Sequence, residues 1–464
     1  MKKELEAIFN AYDIRGITGQ TIDDDIVEAI GAATVDTLDL KSKAILIGGD
    51  MRPSSPEFAK SFAKGASARG ADVELIDLCS TDQMYFASGY FNKAGVMFTA
   101  SHNPAAYNGI KICKAGAVPI SSADGLYDIR DLAQKYIDNG YEEVAYKGKI
   151  TEKDTAKAYA EYLRSLVDLS NIHKLKVVVD AGNGMSGKTV PAVLGDELLE
   201  PLPLEITPMY FELDGTFPNH PANPLDPENL KDLKREVVKQ KADIGLAFDG
   251  DADRCFVVDE NGNDVTPSAI TVMVGLRELD RAQKQGEEDV TILHSLITSR
   301  AVPELLSEAG AKTVETRVGH SFIKADMAKT KAIFGGEHSA HFYFRDFYNA
   351  DTGMLAAMYV LAMLGEQELP LSELSKKYSP YFASGEINST VKDIPKAIEK
   401  VKAEFANKTT LTTMDGWTFD SNDKKWWFNL RASNTEPYLR LNVEAHYEAQ
   451  MKKLTDEVLG LIRE

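Results

Sequence analysis

Short apolar runs alternate with helical patterns up to Gly365, and this alternation restricts the possible folds more than any other feature of the chain. The runs Ala44–Gly48, Asp243–Phe248 and Lys312–Thr316 have the length and composition of buried strands. Helical patterns such as Ser299–Ala309 separate them. Strands and helices that alternate in this way are typical of sheets with parallel strands. We therefore predict an α/β protein with three βα-rich units of about a hundred residues each, which is a normal domain size.

The pattern changes after residue 365. The segments Trp426–Leu430 and Tyr438–Glu444 alternate between apolar and polar residues, as half-buried strands do. A smaller α+β domain is predicted for this part of the chain. Upstream, the proline-rich region Pro201–Pro227 is predicted to be a long surface loop. The predicted domains are residues 1–152, 153–258, 259–368 and 369–464.

Composition narrows the class of function. The chain has 464 residues, too many for a single small core, and its formal net charge is −19. This acidity argues against nucleic-acid partners and against binding to an anionic membrane. An acidic protein that binds an anionic substrate must concentrate its arginine and lysine side chains in one cleft. The three cysteines are widely spaced and predict neither a disulfide framework nor a zinc site.

We also expect a cytoplasmic protein. The first residues, Met1–Glu6, lack an apolar signal region, and the chain contains no apolar run of about 18 residues. Association with a membrane is therefore not predicted.

Three aspartates follow the apolar run Asp243–Phe248 at every second position, and Arg254 comes directly after the third. In near-extended backbone, alternate side chains point the same way, so the three carboxylates are predicted to converge. Crowded carboxylates repel one another unless a cation lies between them, and hard oxygen ligands favour Mg²⁺ or Ca²⁺. An EF-hand loop is excluded, because Arg254 stands where that loop requires glycine. Arg254 suits a phosphate ligand instead. The candidate metal ligands are Asp249, Asp251 and Asp253.

Ser101 lies in the segment Thr99–Pro104, directly after the predicted strand Val96–Phe98. Ligands of open α/β sheets bind at the carboxyl ends of strands. Ser101 is therefore a candidate nucleophile or phosphoryl carrier on a tight turn, although a routine loop serine fits the sequence as well. A Ser–His–acid hydrolase is not favoured, because no Gly-x-Ser-x-Gly elbow surrounds Ser101. Lys111, about ten residues further on, can return to the same turn.

Two further segments supply basic side chains. Arg15 lies near the N-terminus in an otherwise acidic segment, and His320 precedes a helix predicted over Phe322–Lys331. Each segment also has a simpler interpretation, namely a surface ion pair for Arg15 and a solvated turn for His320.

Two loops are candidates for contact with a polar ligand. In residues 335–341, the side chains of Glu337, Ser339 and His341 alternate and predict a polyol-binding rim, which fits better than a metal site made by the two histidines. In Arg431–Pro437, one arginine and three small polar residues predict a phosphate cradle, although a plain polar turn has nearly the same pattern. The cradle residues are Arg431, Ser433, Asn434 and Thr435.

Taken together and in this order, these segments resemble the α-D-phosphohexomutase family, phosphoglucomutases and phosphomannomutases of the bacterial type. The resemblance covers nearly the whole chain. It is strongest at residues 99–104, which we call the serine loop, and at residues 249–254, which we call the aspartate run. It implies three βα-rich mixed-sheet domains and a smaller C-terminal α+β domain around one cleft, to which each domain supplies one motif. It also implies reversible interconversion of hexose 1-phosphate and hexose 6-phosphate, with mannose and/or glucose as the sugar. The reaction would use an active-site phosphoserine and a hexose 1,6-bisphosphate that reorients in the cleft.

The resemblance also implies a role for each candidate residue. Ser101 matches the phosphoryl carrier and completes a Mg²⁺ site with the three aspartates. Lys111 and His320 are the candidates for the general acid/base, and a lysine base would need a lowered pKa. Hexose 1,6-bisphosphate is the expected activator, hexose phosphates are the expected small-molecule partners, and a monomer or small homo-oligomer is expected. The implied catalytic residues are Ser101, Lys111, His320, Arg15 and Arg254. The implied substrate-binding residues are Tyr12, Glu337, Ser339, His341, Arg431, Ser433, Asn434 and Thr435.

Three alternatives remain open at this point. We call residues 335–341 the sugar loop. His338 and Ala340 depart from the commoner patterns of this loop in the family, so a phosphoglucosamine mutase stays possible. Asp249 and Asp251 form an Asp-x-Asp pair that a Mg²⁺-dependent phosphatase also uses, although Ser101 would then have no role. A sugar-phosphate-binding protein without catalytic activity is the third alternative.

Overall fold

The computed structural model describes residues 5–432 and 438–463, and for His320 the backbone alone. Four β-sheets follow one another along these residues, and we call the parts built on them the first to fourth units. Three sheets are mixed and the fourth is antiparallel, which confirms the predicted architecture of three βα-rich units and a smaller α+β unit. Short 3₁₀ helices in the described residues are Leu5–Ala7, Ala115–Ala117, Pro227–Leu230 and Arg345–Phe347.

The first unit is a mixed sheet with helices packed against it. Its strands are β1 (Ile14–Ile17), β2 (Ala44–Gly49), β3 (Asp72–Leu78), β4 (Ala94–Phe98), β5 (Tyr107–Lys114), β6 (Val118–Pro119) and β7 (Ile150–Glu152). Its helices are α1 (Asp24–Thr37), α2 (Ser55–Ala68), α3 (Thr81–Tyr90) and α4 (Leu126–Asn139). The strand order is β1-β5-β4-β2-β3-β7, with β6 beside β5. The strands β2, β3, β4 and β7 are parallel, and β5 is antiparallel to β4, so the chain turns back immediately after Ser101.

The second unit carries the aspartate run. Its helices are α5 (Ala156–Leu166), α6 (Ser186–Val193) and α7 (Lys231–Gln240). Its strands are β8 (Leu175–Asp180), β9 (Leu204–Met209), β10 (Ile244–Phe248), β11 (Cys255–Asp259) and β12 (Asp264–Val265). The order is β12-β11-β10-β8-β9, and β11 runs antiparallel to β10, so residues 249–254 form the connection between two central strands. The sheet continues through β12, beyond the predicted boundary at residue 258.

The prediction of a surface loop over the whole of Pro201–Pro227 is wrong near its start. Residues 204–209 form β9, which pairs only with β8 at the edge of the second sheet. The β-branched residues Ile206 and Thr207 favour a strand. An edge strand also tolerates Pro208, because the missing N–H need not face a neighbouring strand.

The third unit has the strand order β14-β13-β15-β16-β17. Its strands are β13 (Thr291–Ser295), β14 (Lys312–Thr316), β15 (Phe334–Gly336), β16 (Phe342–Phe344) and β17 (Ala350–Asp351). Its helices are α8 (Pro267–Lys284), α9 (Ala301–Glu308), α10 (His320–Thr330), α11 (Gly353–Gly365) and α12 (Leu371–Lys376). The helix α12 contacts α8, so this unit extends beyond the predicted boundary at residue 368. The predicted sugar loop connects β15 to β16.

The fourth unit is an antiparallel sheet with two helices against it. Its strands are β18 (Phe382–Thr390), β19 (Thr409–Thr412), β20 (Trp417–Ser421), β21 (Trp426–Ala432) and β22 (Tyr438–Ala445), in the order β18-β22-β21-β20-β19. Its helices are α13 (Ile394–Phe405) and α14 (Glu448–Arg463). This unit has its own apolar core, built around residues such as Phe405, Phe428 and Leu441.

The third and fourth units are joined by polar contacts. The backbone N–H of Arg300 donates to the carboxylate of Glu444 at 2.9 Å, and the guanidinium of Arg300 binds Asp420 at 2.7 Å. The backbone N–H of Val318, two residues before His320, donates to Asp415 at 3.2 Å. The fourth unit therefore reaches the segment that precedes α10.

The helix α3 joins the first three units. Asp82 in its first turn is buried and accepts hydrogen bonds of 2.7 Å from the hydroxyls of Tyr159 in α5 and Thr352 before α11. One carboxylate thus binds side chains of the second and third units. In the described part of the chain, no helix is both long and apolar enough to cross a membrane.

Candidate active site

Ser101 lies in the tight connection between β4 and β5. Its backbone has φ +49°, in the left-handed region that residues other than glycine rarely adopt, and its side chain is buried. Its hydroxyl donates to Oδ2 of Asp249 at 2.7 Å and lies 3.2 Å from Nδ1 of His102. The turn therefore directs the Ser101 hydroxyl toward the aspartate run.

Arg52 holds the serine loop in place, and sequence reasoning missed it. Its buried guanidinium donates to the carbonyl oxygens of Ser101 and Asn103 at 2.8 and 2.7 Å. It also donates to the carbonyl oxygens of Pro104 and of Tyr107, the first residue of β5, at 2.9 and 2.8 Å. Asp50 balances the charge, with the Arg52 Nε–H donating to its carboxylate at 3.2 Å. The available signal was the position of both residues directly after the apolar strand β2.

The carboxylates of Asp249, Asp251 and Asp253 converge as predicted. All three are buried, and each offers an oxygen within 4.8 Å of the other two. The route to this convergence differs from the prediction, because the run is a turn and not extended backbone. The N–H of Ala252 donates to the carbonyl of Asp249 at 3.1 Å, and Ala252 has φ +62°. The turn lets the chain reverse into the antiparallel strand β11.

The aspartate turn and the serine loop touch through backbone. A Cβ atom on Gly250 would lie 2.5 Å from the carbonyl oxygen of Ser101, so any side chain at this position would separate the two loops. Gly250 therefore allows the hydroxyl of Ser101 to reach Asp249.

Lys111 binds the aspartate cluster from β5. Its ammonium lies 2.8 Å from Oδ2 of Asp251 and 2.7 Å from Oδ2 of Asp253. Burial opposes the charge, but these two carboxylates outweigh it and hold the pKa of Lys111 well above its usual value. In this arrangement Lys111 is an ion-pair partner of the aspartate cluster.

Two further side chains orient the aspartates. Arg254 donates from Nε to Oδ2 of Asp249 at 2.9 Å, and Thr81 donates from its hydroxyl to Oδ2 of Asp251 at 2.6 Å. Burial raises the pKa of Asp249 to about 7, although Arg254 opposes this shift. Thr81 is the first residue of α3 and was not identified from the sequence.

The cluster fits a hard divalent cation. The buried Oδ1 atom of Asp251 has no hydrogen-bond partner in the described residues, and an unpaired buried carboxylate oxygen is costly. Three buried carboxylates that converge also repel one another unless a cation compensates them. An all-oxygen donor set of this kind is what Mg²⁺ prefers in proteins.

The predicted sugar loop lies beside the aspartate turn. The backbones of Arg254 and His341 form an isolated β-bridge, which brings residues 337–341 to the second unit. Nε2 of His341 lies 3.5 Å from Oδ1 of Asp253, and Nδ1 lies 3.0 Å from the hydroxyl of Ser339. The alternating residues Glu337, Ser339 and His341 therefore sit at the edge of the cluster.

Glu337 is fixed by two hydrogen bonds. It accepts one from the backbone N–H of Gly319 at 2.9 Å and one from the hydroxyl of Tyr343 at 2.5 Å. Burial and the charge of Glu337 raise the pKa of Tyr343 well above its usual value, so this phenol remains a donor. His338, between Glu337 and Ser339 in the chain, instead lines a crevice against the fourth unit. His338, one of the two positions that depart from the commoner sugar-loop pattern, thus lies at the boundary with the fourth unit.

Arg15 and Tyr12 lie at the same end of the first sheet. Arg15 in β1 donates to Oδ2 of Asp13 at 2.7 Å, and its guanidinium also binds the side chain of Asn103 in the serine loop. Burial, with further contributions from Asp13 and Glu337, raises the pKa of Tyr12. Arg15 therefore connects β1 to the serine loop.

The remaining predicted residues are not joined to the cluster by the described contacts. Arg431 lies near the end of β21, opposite Arg440, and no contact between it and the aspartates is seen in residues 5–432 and 438–463. Ser433, Asn434 and Thr435 lie outside the described residues, as does the side chain of His320. The backbone of His320 begins α10, one residue after the Gly319 N–H that binds Glu337.

Family models match all four units in order. They are described as phosphoglucomutase/phosphomannomutase alpha/beta/alpha domains I, II and III and the phosphoglucomutase/phosphomannomutase C-terminal domain. The matched residues are 6–138, 157–262, 267–381 and 386–461.

Whole proteins match over their full length as well. The chain is 37% identical to a phosphomannomutase of Escherichia coli K12, a match that covers 98% of this chain and 99% of that protein. It is 38% identical to a phosphomannomutase of Vibrio cholerae, with 99% of each covered. The crystal structure of a phosphoglucomutase/phosphomannomutase family protein from Burkholderia thailandensis superposes with a TM-score of 0.84 at 28% identity, covering 98% of both chains.

Proposed function

We propose, on the premise that this chain belongs to the phosphoglucomutase/phosphomannomutase family, that it interconverts mannose 1-phosphate and mannose 6-phosphate and accepts the corresponding glucose phosphates. The enzyme is an isomerase, an intramolecular phosphotransferase. In this proposal Ser101 carries the transferred phosphoryl group, and hexose 1,6-bisphosphate is both the intermediate and the activator.

One observation carries the proposal. The hydroxyl of Ser101, on a strained turn, lies 2.7 Å from Asp249 in a cluster of three buried carboxylates. A phosphatase with an aspartyl nucleophile would not require a serine that the protein holds at this point through the four carbonyl contacts of Arg52. A carrier serine beside a cation site accounts for both features.

The cation proposed for this site is Mg²⁺, held by Asp249, Asp251 and Asp253 together with the Ser101 phosphoryl group. When bound, it would stabilise the negative charge that develops on the transferred phosphoryl oxygens. The protein's own cations share this task. Lys111 and Arg254 lie against the same carboxylates, and in this proposal they would contact the phosphoryl group on Ser101.

The chemistry consists of two transfers in opposite directions. In the first, the bond between Ser101 Oγ and phosphorus breaks while a sugar hydroxyl forms a new bond to phosphorus. The proton of that hydroxyl passes to the general base, and Ser101 Oγ takes up a proton as it leaves. The hexose 1,6-bisphosphate then turns around in the cleft. In the second transfer, Ser101 Oγ loses its proton and forms a bond to the phosphorus of the other phosphate, and the sugar oxygen that this phosphate leaves takes up a proton. Each transfer needs in-line placement of the hydroxyl, the phosphorus and Oγ.

Lys111 and His320 were the candidates for the proton transfer, and the ion pairs that Lys111 makes favour His320. The ammonium of Lys111 lies 2.8 Å from Asp251 and 2.7 Å from Asp253, so two of the proposed metal ligands already bind its charge. His320 begins α10 next to Gly319, whose N–H binds Glu337, so its backbone lies beside the sugar loop. We assign the proton transfer to His320 and an electrostatic role to Lys111.

Substrate binding is assigned to both sides of the cleft. Glu337, Ser339 and His341 would bind the sugar hydroxyls, while Tyr12 and Arg15 would line the opposite wall. The phosphate that does not react would lie in the loop of the fourth unit made by Arg431, Ser433, Asn434 and Thr435. The names of the relatives support mannose phosphates as substrates. Buried free thiols at Cys79, Cys113 and Cys255 support a cytoplasmic location, where thiols stay reduced.

The test is isomerisation of mannose 1-phosphate, glucose 1-phosphate and glucosamine 1-phosphate side by side, with Mg²⁺ and a trace of hexose 1,6-bisphosphate. We expect turnover of the first two, its loss on chelation, and its loss in the variant Ser101→Ala. The intact mass of the wild-type protein should show a phosphoryl adduct that Ser101→Ala lacks. Ser165→Ala, at an exposed hydroxyl of α5, is the matched control and should keep both activity and adduct.

Other outcomes would contradict the proposal in distinct ways. Turnover of glucosamine 1-phosphate alone would replace mannose and glucose as substrates but keep the mechanism. Release of inorganic phosphate without isomerisation would indicate a phosphatase. Binding of hexose phosphates without turnover or adduct would indicate a binding protein.

A further inference from the structure

Lys324 is a buried lysine of α10 that has no role in the proposed function. Its side chain is 1% exposed, and Nζ is 2.6 Å from Oδ1 of Asp351 at the end of β17. The Asp351 side chain is itself only 2% exposed. Lysine and aspartate are rarely buried to this extent, and a buried ion pair is seldom more stabilising than apolar residues of similar volume. Fold stability alone therefore gives no reason for this pair.

The pair leads directly to the candidate active site. Oδ2 of Asp351 lies 3.8 Å from Nε2 of His341, and the same nitrogen lies 3.5 Å from Oδ1 of Asp253. Asp253, His341 and Asp351 form a second compact group of possible metal ligands. The ammonium of Lys324 already brings a positive charge to this group, which argues against a second metal ion there.

The first unit encloses the ammonium from the other side. The ring of Tyr85 lies over Nζ of Lys324, 3.7 Å from ring centroid to nitrogen, which is a close cation–π contact. Tyr85 comes four residues after Thr81 in α3, so both lie on the same face of this helix. Thr81 binds Asp251. The helix thus supports the aspartate cluster with Thr81 and Lys324 with Tyr85.

We infer that Lys324 is a positioning residue of the mutase: its ammonium orients Asp351, and Asp351 holds the imidazole of His341 against Asp253 at the sugar side of the cluster. The inference rests on the proposed function, in which His341 contacts the hexose. Without Lys324, the imidazole would lose the support that fixes its place between the sugar and the aspartates. Small displacements of this kind reduce turnover strongly, because both transfers require in-line geometry.

The first variant is Lys324→Met, which keeps the volume of the side chain and removes its charge. We expect kcat with mannose 1-phosphate as the substrate to fall about a hundredfold. Lys329→Met, at an exposed lysine of the same helix, is the matched control and should keep the wild-type kcat. Lys324→Met removes the ammonium that lies against the buried carboxylate of Asp351, so this variant is also expected to unfold at a lower temperature.

The double variant Lys324→Met/Asp351→Asn separates positioning from stability, because it removes both buried charges. We expect its unfolding temperature to return toward the wild-type value while kcat stays about a hundredfold low. A kcat within threefold of the wild type would overturn the inference. A double variant as unstable as Lys324→Met would also overturn it, since the pair would then be required by the fold. The wild-type protein, measured in parallel, tests the proposed function separately. If the wild type itself has no mutase activity, the proposed function is contradicted, whereas an active wild type with an equally active double variant contradicts only the role of Lys324.

Discussion

The buried guanidinium of Arg52 donates a hydrogen bond of 2.8 Å to the carbonyl oxygen of Ser101. The same side chain binds two further carbonyls of the serine loop and the carbonyl of Tyr107 at the start of β5, and Asp50 balances its charge. Arg52 therefore holds the backbone on which Ser101 adopts its left-handed conformation. Residues in such conformations persist only where the surrounding structure determines them, and here one side chain supplies most of that support.

Arg52→Lys should reduce kcat by about 10- to 100-fold, because a single ammonium cannot reach four carbonyls in the fixed geometry of a guanidinium. It should also lower the free energy of unfolding by about 3 kcal/mol, since the change disturbs a buried charge pair. Steady-state kinetics and thermal unfolding check both effects. Arg69→Lys, which disturbs an ion pair with Asp36 on the far side of the first unit, should affect stability without changing kcat. A fully active Arg52→Lys would show that the serine loop holds its own shape.

The sequence predicted those parts of the site whose residues are neighbours in the chain. Asp249, Asp251 and Asp253 stand within five residues of each other, and Ser101 lies just after a strand, so local pattern was sufficient to select them as candidates. Arg52 could not be assigned in this way, because its partners are backbone carbonyls some fifty residues away and carry no sequence signal. The resemblance to a family added roles for these residues but did not reveal which side chains support them.

Local environment was also beyond the reach of sequence patterns. Lys111 was correctly placed near the cluster, but its pKa depends on the two carboxylates that face it across a unit boundary. The aspartate run was expected to be extended, and the reversal into the antiparallel strand β11 makes it a turn instead. Strand β9 was missed because prolines and polar residues around it outweighed its short β-branched core.

Thr81→Val should raise the Mg²⁺ concentration needed for half-maximal activity by about 10- to 100-fold. The Thr81 hydroxyl donates to Oδ2 of Asp251 at 2.6 Å, and groups that orient a metal ligand usually contribute this much to metal affinity. At saturating Mg²⁺, kcat should stay within about threefold of the wild type, because Thr81 does not contact the substrate in the proposed function. Titration of activity with Mg²⁺ measures both the concentration needed for half-maximal activity and kcat at saturation. Calorimetry measures the Mg²⁺ affinity independently. Thr34→Val, at a buried hydroxyl inside α1, is the matched control, and an unchanged Mg²⁺ requirement in Thr81→Val would contradict the prediction.

Asp82→Asn should become more stable relative to the wild type as the pH rises from 4 to 7. Burial raises the pKa of Asp82 from 3.8 to about 6, although hydrogen bonds from Ser80, Tyr159 and Thr352 oppose this. Between these two pKa values the folded protein binds a proton that the unfolded chain does not, so folding stability falls as the pH rises through this window. The shift corresponds to about 3 kcal/mol. The stability of Asp82→Asn relative to the wild type should therefore rise by about this amount across the window, because the amide does not titrate.

Thermal unfolding of both proteins at several pH values between 4 and 7 measures this difference. Glu74→Gln is a control of opposite sign. Partial burial raises the pKa of the Glu74 carboxylate, but Lys93 and Lys153 together more than offset the burial and lower it. Its ionisation therefore stabilises the folded protein near neutral pH, and this contribution is lost as the pH falls. A difference between Asp82→Asn and the wild type that does not change with pH would show that Asp82 titrates normally.

Gly65→Ala and Gly460→Ala should change stability in opposite directions, although both glycines lie inside helices. In the first unit, α1 and α2 cross so closely that a Cβ atom on Gly65 would lie 2.0 Å from the carbonyl oxygen of Glu28. The helices would have to separate, so Gly65→Ala should lower the free energy of unfolding by about 1–3 kcal/mol. A Cβ atom on Gly460 in α14 would meet no other atom of the described residues within 4 Å. Gly460→Ala should therefore raise stability by about 0.5–1 kcal/mol through the better helix propensity of alanine. Thermal unfolding of both variants measures the difference, and equal shifts of the same sign would show that the crossing of α1 and α2 is not closely packed.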